Sequence, residues 1–208
     1  MICTLCNTGT IFFENIHLKT YYNCPNCKGI LMNPANFVST SEEITRYKTH
    51  NNDVYDIGYQ NFVKPIVNSV LLDFSPTNQG LDFGCGTGPV ITKLLRDKNY
   101  NITTYDPFFD NNLAALKTTY NFIVCCEVIE HFHNPFKEFK LLKSILKPNG
   151  KLYCMTDIYN ETINFKNWYY KNDETHVFFY HKHTFDWIKN NFGFSKVTVK
   201  NRLIIFEN

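Results

Sequence analysis

No stretch of this chain is apolar for long enough to span a membrane, and its opening residues, MICTLC, lack the basic and apolar segments of a secretion signal. A dominant charge is missing as well: 21 Lys and Arg stand against 19 Asp and Glu in 208 residues, a net charge of +2. The chain thus carries no global electrostatic footprint for nucleic acid, and such a partner would need a local basic patch. There is no internal repeat and no low-complexity tract. With 44% hydrophobic and 16% aromatic residues, the composition excludes disorder over most of the length. It allows one well-packed domain plus a small appendage.

What is present begins with cysteine. Of the eight, four form the pairs Cys3-x-x-Cys6 and Cys24-x-x-Cys27, while Cys85, Cys125, Cys126 and Cys154 sit inside apolar stretches. Such thiols suit a reducing cytosol better than a disulfide framework, so a cytoplasmic location is expected. The spacing of the pairs suits a structural, four-thiolate Zn²⁺ site with Cys3, Cys6, Cys24 and Cys27 as ligands. Between them, FFENIHLKTYYN alternates well enough for a small hairpin. A segment this small lacks a core, so metal would supply most of its folding energy. A thioredoxin-like redox pair would leave the second pair unexplained. Residues 1–34 are therefore expected to form a zinc ribbon.

Residues 35–79 are expected to hold a connecting segment and an N-terminal helix. Ile57, Phe62, Ile66, Val67, Val70 and Leu71 recur there at helical spacing, and Pro65 should bend or restart the helix. From residue 80 to 208 strand and helix alternate. GLDFG, NITTYD, NFIVCCEV and KLYCMTD read as strands. PVITKLLRDKN and the segment after Asn134-Pro135 read as helices, the second stopped by Pro148-Asn149-Gly150. A last helix around 184–192 precedes KVTVK and LIIFE, compatible with one antiparallel edge strand. The fold class is α/β: a doubly wound, mostly parallel sheet with helices on both faces.

Leu81-Asp82-Phe83-Gly84-Cys85-Gly86-Thr87-Gly88-Pro89 is a glycine-dense turn between strand and helix, where backbone can approach a ligand closely. A dinucleotide fingerprint needs a third glycine where Pro89 stands, and a Walker loop needs a Gly-Lys that is absent. An acid two residues before the first glycine suits a ligand with a cationic, amine-bearing end. Asp106, closing the next strand in TTYDPFF, stands where a carboxylate can accept ribose hydroxyls.

These motifs resemble the class I S-adenosylmethionine-dependent methyltransferases, and CCEVIEHFHNPFKEF with SILKPNG resembles the ubiquinone-biosynthesis O-methyltransferase type. The resemblance covers residues 56–208 and implies a Rossmann-like sheet of the seven-stranded type. It implies that Gly84, Gly86 and Gly88 line S-adenosylmethionine, with Cys85 and Pro107 beside it. Asp82 would face its amino group, Asp106 its ribose, and Cys126 and Glu127 its sulfonium end. Only a short stretch separates Asp106 from NFIVCCEV, so the usual third strand and its adenine-contacting acid are trimmed. In relatives the segment at His50-Asn51-Asn52-Asp53 covers the cofactor.

Glu127, Glu130 and His131 follow the central strand, at the sheet edge where open α/β folds place ligands. They are the candidate catalytic residues, with His131 as general base for methyl transfer. Glu-x-x-Glu-His with a distant histidine also resembles the metal site of small-RNA 3′-end 2′-O-methyltransferases. That resemblance implies Mg²⁺ or Mn²⁺ on Glu127, Glu130, His131 and His176, with His181 or His183 as substitutes for the last. Phe165, Trp168, Tyr169, Tyr170, Phe178, Phe179 and Tyr180 would form an aromatic lid over the acceptor.

Zinc ribbons precede some ribosomal-RNA methyltransferases and related cysteine-rich modules precede some sugar methyltransferases. Three readings therefore stand side by side. One is an enzyme methylating an oxygen (or nitrogen) of a small metabolite or sugar-like acceptor. Another is an RNA methyltransferase gripping RNA with its ribbon. The third is a non-catalytic ribbon module on a degenerate methyltransferase fold. No reading needs a membrane.

Overall fold

The structure, a computed structural model, describes residues 1–49 and 53–208. The chain opens with a hairpin of β1 (Ile11–Ile16) and β2 (Lys19–Asn23), turned by His17 at φ 53°. A third strand, β3 (Ile30–Met32), joins antiparallel to β2. The expected connecting segment contains a helix of its own, α1 (Thr40–Lys48). Its signal lies in the Ser39-to-Glu42 capping box rather than in apolar periodicity. The next helix, α2 (Ile57–Asp73), is capped by Asp56 and runs through Pro65 without restarting. It buries Val63, Ile66, Val67 and Val70.

The main sheet is built from β4 (Gln79–Phe83), β5 (Asn101–Tyr105), β6 (Tyr120–Cys126), β7 (Leu146–Met155), β9 (Lys196–Lys200) and β10 (Leu203–Glu207). Their order across the sheet is β5-β4-β6-β7-β10-β9. The four strands from β4 to β7 run parallel, whereas β10 runs antiparallel to both β7 and β9. The antiparallel strand is thus interior, and the edge belongs to β9. Six strands replace the seven-stranded type, because between β5 and β6 the chain makes only a 3-10 turn at Ala115–Lys117.

Period-two alternation sends neighbouring residues of β6 to opposite faces. Ile123 and Cys125 pack with Phe139 and Leu142 of α4 (Pro135–Ser144) and with Phe185 and Ile188 of α5 (Lys182–Phe192). Phe122 and Val124 pack instead with α2 and with Val90, Ile91 and Leu95 of α3 (Val90–Arg96). Helix α4 ends at Ser144, earlier than the sequence suggests. Pro148-Asn149-Gly150 lies inside β7, where Asn149 takes φ 60° and the pairing with β6 shifts register.

The ribbon does not stand apart. A two-residue strand, β8 (Phe178–Phe179), pairs antiparallel with β3 and completes a second sheet, β1-β2-β3-β8. Phe165, Trp168, Tyr170 and Phe179 pack with Ile16, Tyr21, Ile30 and Met32 in one buried cluster. Of the aromatic stretch expected as a lid, these four therefore pack on the ribbon, Phe178 and Tyr180 join the core with α4 and α5, and Tyr169 is left exposed. No helix among the described residues is long and apolar enough to cross a membrane.

Gly80 of β4 faces Phe122 so closely that an added Cβ would lie 2.2 Å from two ring atoms. Overpacking of this kind costs about 1–3 kcal/mol. Gly80→Ala should lower the equilibrium midpoint of denaturant unfolding accordingly; an unchanged midpoint would show that the two strands can part at no cost.

Candidate active site

A cavity of about 910 Å³ opens at the C-terminal ends of β4, β5 and β6. That volume is at the upper end of the range for ligand pockets. The loop after β4 supplies Gly84, Cys85, Gly86 and Thr87 to its wall. Gly84 and Gly86 take φ 78° and 61°, values that side chains seldom adopt. A Cβ at Gly84 would also strike Val128 at 2.5 Å. Asp106 closes the facing loop: its Oδ2 accepts from Gly86 N at 3.0 Å, and its Oδ1 accepts from Phe108 N and Phe109 N. Each carboxylate oxygen has two lone-pair sites, so Oδ2 keeps one acceptor position for a hydroxyl.

Pro107, Cys126 and Glu127 also line this cavity, as do Phe108, Phe109 and Phe132. Two sequence-derived cofactor residues do not. Asp82 turns inward, accepting from Thr92 Oγ1 at 2.7 Å, and Gly88 lies behind the wall, its carbonyl accepting from Val90 N. Asp82 shapes the loop from below. The residues 50–52 named with Asp53 as a cofactor cover lie outside the described residues.

Glu127, Glu130 and His131 follow β6 directly. Glu127 takes φ 51°, an uncommon conformation for a non-glycine residue, which redirects its side chain. Arg202, from the turn before β10, donates to Glu127 Oε2 at 2.6 Å. Glu130 is fully buried. Tyr170 donates its hydroxyl to Glu130 Oε1 and has Glu127 Oε2 at 3.2 Å. Burial pushes both carboxyls up to about 7; the neighbouring Glu130 charge adds to it for Glu127, and Arg202 opposes it. Glu127 Oε1 and Glu130 Oε2 are buried with no hydrogen-bond partner.

His131 and His176 complete the cluster. His131 Nδ1 lies 3.0 Å from Thr175 O, and His176 Nδ1 lies 2.7 Å from Tyr170 O. A carbonyl only accepts, so each Nδ1 carries the hydrogen and each Nε2 offers a lone pair. Both Nε2 atoms face Glu130 Oε1, at 4.0 and 3.9 Å. Burial lowers both imidazoles, His176 to about 3 with the nearby His131 as second cause. Neutral rings are the ligand form.

Glu130, His131 and His176 thus bring three donor atoms within 4.8 Å of one another. Glu127, the fourth residue of the expected set, pairs with Arg202 at 2.6 Å and stands outside this group of three. His181 and His183 do not join either: His181 caps α5 and pairs with Glu161 at 3.3 Å. In the ribbon, the four sulfurs of Cys3, Cys6, Cys24 and Cys27 also lie within 4.8 Å of one another.

Sequence reasoning missed several wall residues. Helix α1 contributes Glu43 and Tyr47. Glu43 Oε1 sits 3.1 Å from His133 Nε2, whose ring packs on Phe37, and the Tyr47 ring meets the edge of His131. Tyr59 and Phe62 of α2 line the cavity as well. Only the capping box hinted at α1. Nothing local marks Arg202 or Tyr170 as partners of Glu127 and Glu130, since 75 and 40 residues separate the pairs.

The methyltransferase domain family matches residues 55–199. A ubiquinone biosynthesis O-methyltransferase of Actinobacillus pleuropneumoniae serotype 5b (strain L20) is 33% identical over 58 residues, 28% of this chain and 25% of the relative. The match thus spans about a quarter of the length of that curated relative. Among solved structures, an S-adenosylmethionine-dependent methyltransferase from Archaeoglobus fulgidus superposes with TM-score 0.55 at 17% identity, over 72% of this chain and 94% of that one. The Burkholderia thailandensis 1,6-didemethyltoxoflavin-N1-methyltransferase reaches 0.56 at 9% identity, over 95% and 99%. Human N-acetylserotonin methyltransferase reaches 0.55 at 12%, over 82% and 56%. At these identities the likeness is one of fold.

Burial raises the Asp82 carboxyl from its ordinary 3.8 to about 6. Between those values the folded chain keeps a proton that the unfolded chain has released, so Asp82 makes stability fall as pH rises from about 4 to about 6. A shift of this size corresponds to at most about 3 kcal/mol. Asp82→Asn should flatten that part of the stability profile in denaturant unfolding across pH 4–7; identical profiles would mean that Asp82 is charged in the fold.

Proposed function

The chain belongs to the methyltransferase domain family, and on that footing we propose that it moves the methyl group of S-adenosylmethionine to an oxygen, or a nitrogen, of a small-molecule acceptor. One observation carries this reading: the glycine bend, Asp106, Glu127, His131 and His176 all face the same 910 Å³ space. That volume has room for a nucleoside cofactor and a modest acceptor together.

The residues present fit the cofactor. Gly84 and Gly86 would leave backbone open to its methionine end, and Asp106 Oδ2 would accept from a ribose hydroxyl. Phe108 and Phe109 offer apolar surface beside the ribose position, where the usual third-strand contact is missing. Bound S-adenosylmethionine supplies a methyl group on a sulfonium, ready for direct displacement. The protein's part is to align a nucleophile, shield it from water and hold its proton. His131 is our candidate base: its Nε2 lone pair is free and its ring orientation is fixed through Thr175 O.

A divalent ion at Glu130, His131 and His176 is a second role for the same residues. The orphaned Glu130 Oε2, the two oriented Nε2 lone pairs and the fixed Nδ1 hydrogens support it. Two imidazoles favour Mn²⁺ over Mg²⁺ among the expected ions. Such an ion would lower the pKa of a bound hydroxyl. For the ribbon, sulfur separations of 3.6 Å between Cys3 and Cys27 and 3.3 Å between Cys6 and Cys24 support a structural Zn²⁺.

An RNA acceptor is disfavoured by charge. Glu43, Asp106, Glu127, Glu138 and Asp173 line the cavity, with Lys137 the only lysine among the described lining residues and no arginine. A polyanion would meet repulsion there. A neutral or cationic acceptor would not. Fold neighbours that act on small molecules, such as the didemethyltoxoflavin enzyme, agree with this choice.

Asp106→Ala should weaken S-adenosylhomocysteine binding about 10–100-fold by calorimetry, the scale of a lost charged hydrogen bond; unchanged affinity would end the ribose assignment. His131→Ala should leave that affinity within about threefold and lower turnover at least ~100-fold. Turnover is read as label passing from S-adenosylmethionine into small-molecule, RNA and protein fractions of a lysate. Label in the RNA fraction would replace the small-molecule reading.

A further inference from the structure

We propose that the four-cysteine centre is a positioning element of the active site, fixing where Glu130 and His176 stand. The inference rests on reading the cysteines as a zinc site and the cavity as the active site. It starts from how the second knuckle closes. Cys24 N donates to Gly29 O and Lys28 N donates to Cys24 O, both at 2.9 Å, while Cys27 N points at Cys24 Sγ at 3.5 Å. Gly29 then passes directly into β3. A Cβ on Gly29 would lie 2.4 Å from the Phe178 ring, so the knuckle rests on β8 itself.

A line of backbone bonds continues from there. Met32 N donates to Val177 O, and Val177 N donates to Glu130 O, each at 2.9 Å. Val177 adjoins His176, and Glu130 adjoins His131. Two further bonds brace the same segment: Tyr180 donates its hydroxyl to Ile129 O, and His131 Nδ1 donates to Thr175 O. On the other side, Thr4 O in the first knuckle accepts from Phe136 N at the start of α4, at 3.4 Å. The segment from Glu127 to Asn134 is therefore held from both knuckles.

The strands that transmit this are too short to persist alone. β3 has three residues and β8 has two, and isolated pairs of that length are not stable in water. Their order comes from what surrounds them: β2, the aromatic cluster, and at the start of β3 the knuckle with its metal. The cofactor loop is built differently. Gly84 N and Cys85 N donate to Tyr105 O, and Gly86 N to Asp106, so that loop takes its bonds from β5 and its turn. Loss of the metal should loosen one wall of the cavity and spare the other.

Hydrogen exchange on the full chain tests this, comparing the zinc-loaded protein, the same protein after chelation, and zinc-loaded Gly29→Ala, which keeps every cysteine and every cavity residue. In both altered samples the amides of Met32, Val177 and residues 129–132 should exchange about tenfold faster or more, while Gly84 and Cys85 stay within about twofold. Changes confined to residues 1–34 would overturn the proposal, because the ribbon would then be independent of the site. Equal acceleration at Gly84 and Cys85 would overturn it too, because the metal would be a global stabiliser. So would a chain that holds no stoichiometric zinc. Failure of the methyltransferase reading appears separately, as zinc-loaded chain that binds no S-adenosylhomocysteine.

Discussion

A carboxylate withdrawn from water costs several kcal/mol unless other groups share its charge, and Glu130 has no exposure at all. Its surroundings are arranged to meet that cost. The Tyr170 hydroxyl donates to one oxygen and Arg202 takes the charge of neighbouring Glu127, while the two imidazole lone pairs that face Glu130 add to the demand for a positive occupant. The remaining oxygen has no partner. A proton can satisfy it, as the raised pKa of this carboxyl indicates, and so can a cation. Either occupant explains why residues from the strand end, the 158–182 insertion and the last hairpin converge on this one side chain.

The same demand accounts for the insertion's shape. To deliver Tyr170 and His176 to Glu130, the chain between β7 and α5 must cross over the end of the sheet, and it needs apolar support there. Phe165, Trp168 and Phe179 find it in Tyr21, Ile30 and Met32 of the ribbon. Edge-on ring contacts, such as Tyr21 with Phe165 at 5.0 Å and Phe165 with Phe179 at 5.2 Å, fix their mutual orientation. The aromatic run is thus structural material for the site's outer wall, while the cavity's own apolar surface comes from Tyr47, Tyr59, Phe62, Phe108 and Phe132.

What the sequence disclosed and what it hid follow a physical division. The glycine bend, Asp106, the four cysteines and the Glu-x-x-Glu-His run were legible because each is a local pattern whose spacing carries the chemistry. His176 was singled out only by resemblance to the metal site of RNA 2′-O-methyltransferases, and the fold brings it beside Glu130 and His131. The ion pair of Glu127 was not legible, because its partner Arg202 is 75 residues distant. Helix α1 escaped periodicity because it buries only Glu43 among its residues, and its one local mark, the Ser39–Glu42 capping box, carries no apolar pattern. Pro148-Asn149-Gly150 read as a stop signal, yet tertiary pairing with β6 draws it into β7.

The sewing of the N-terminal sheet to β8 sets the smallest unit that can be dissected. A cut after residue 34, at the boundary that composition suggests, would strip Phe178 and Phe179 of their partner strand β3 and uncover Phe165 and Trp168. The fragment left behind would carry an exposed aromatic face, a recipe for self-association. Swapping this ribbon for another would meet the same obstacle: the graft would have to reproduce the inner face of β3 as well as the four cysteines.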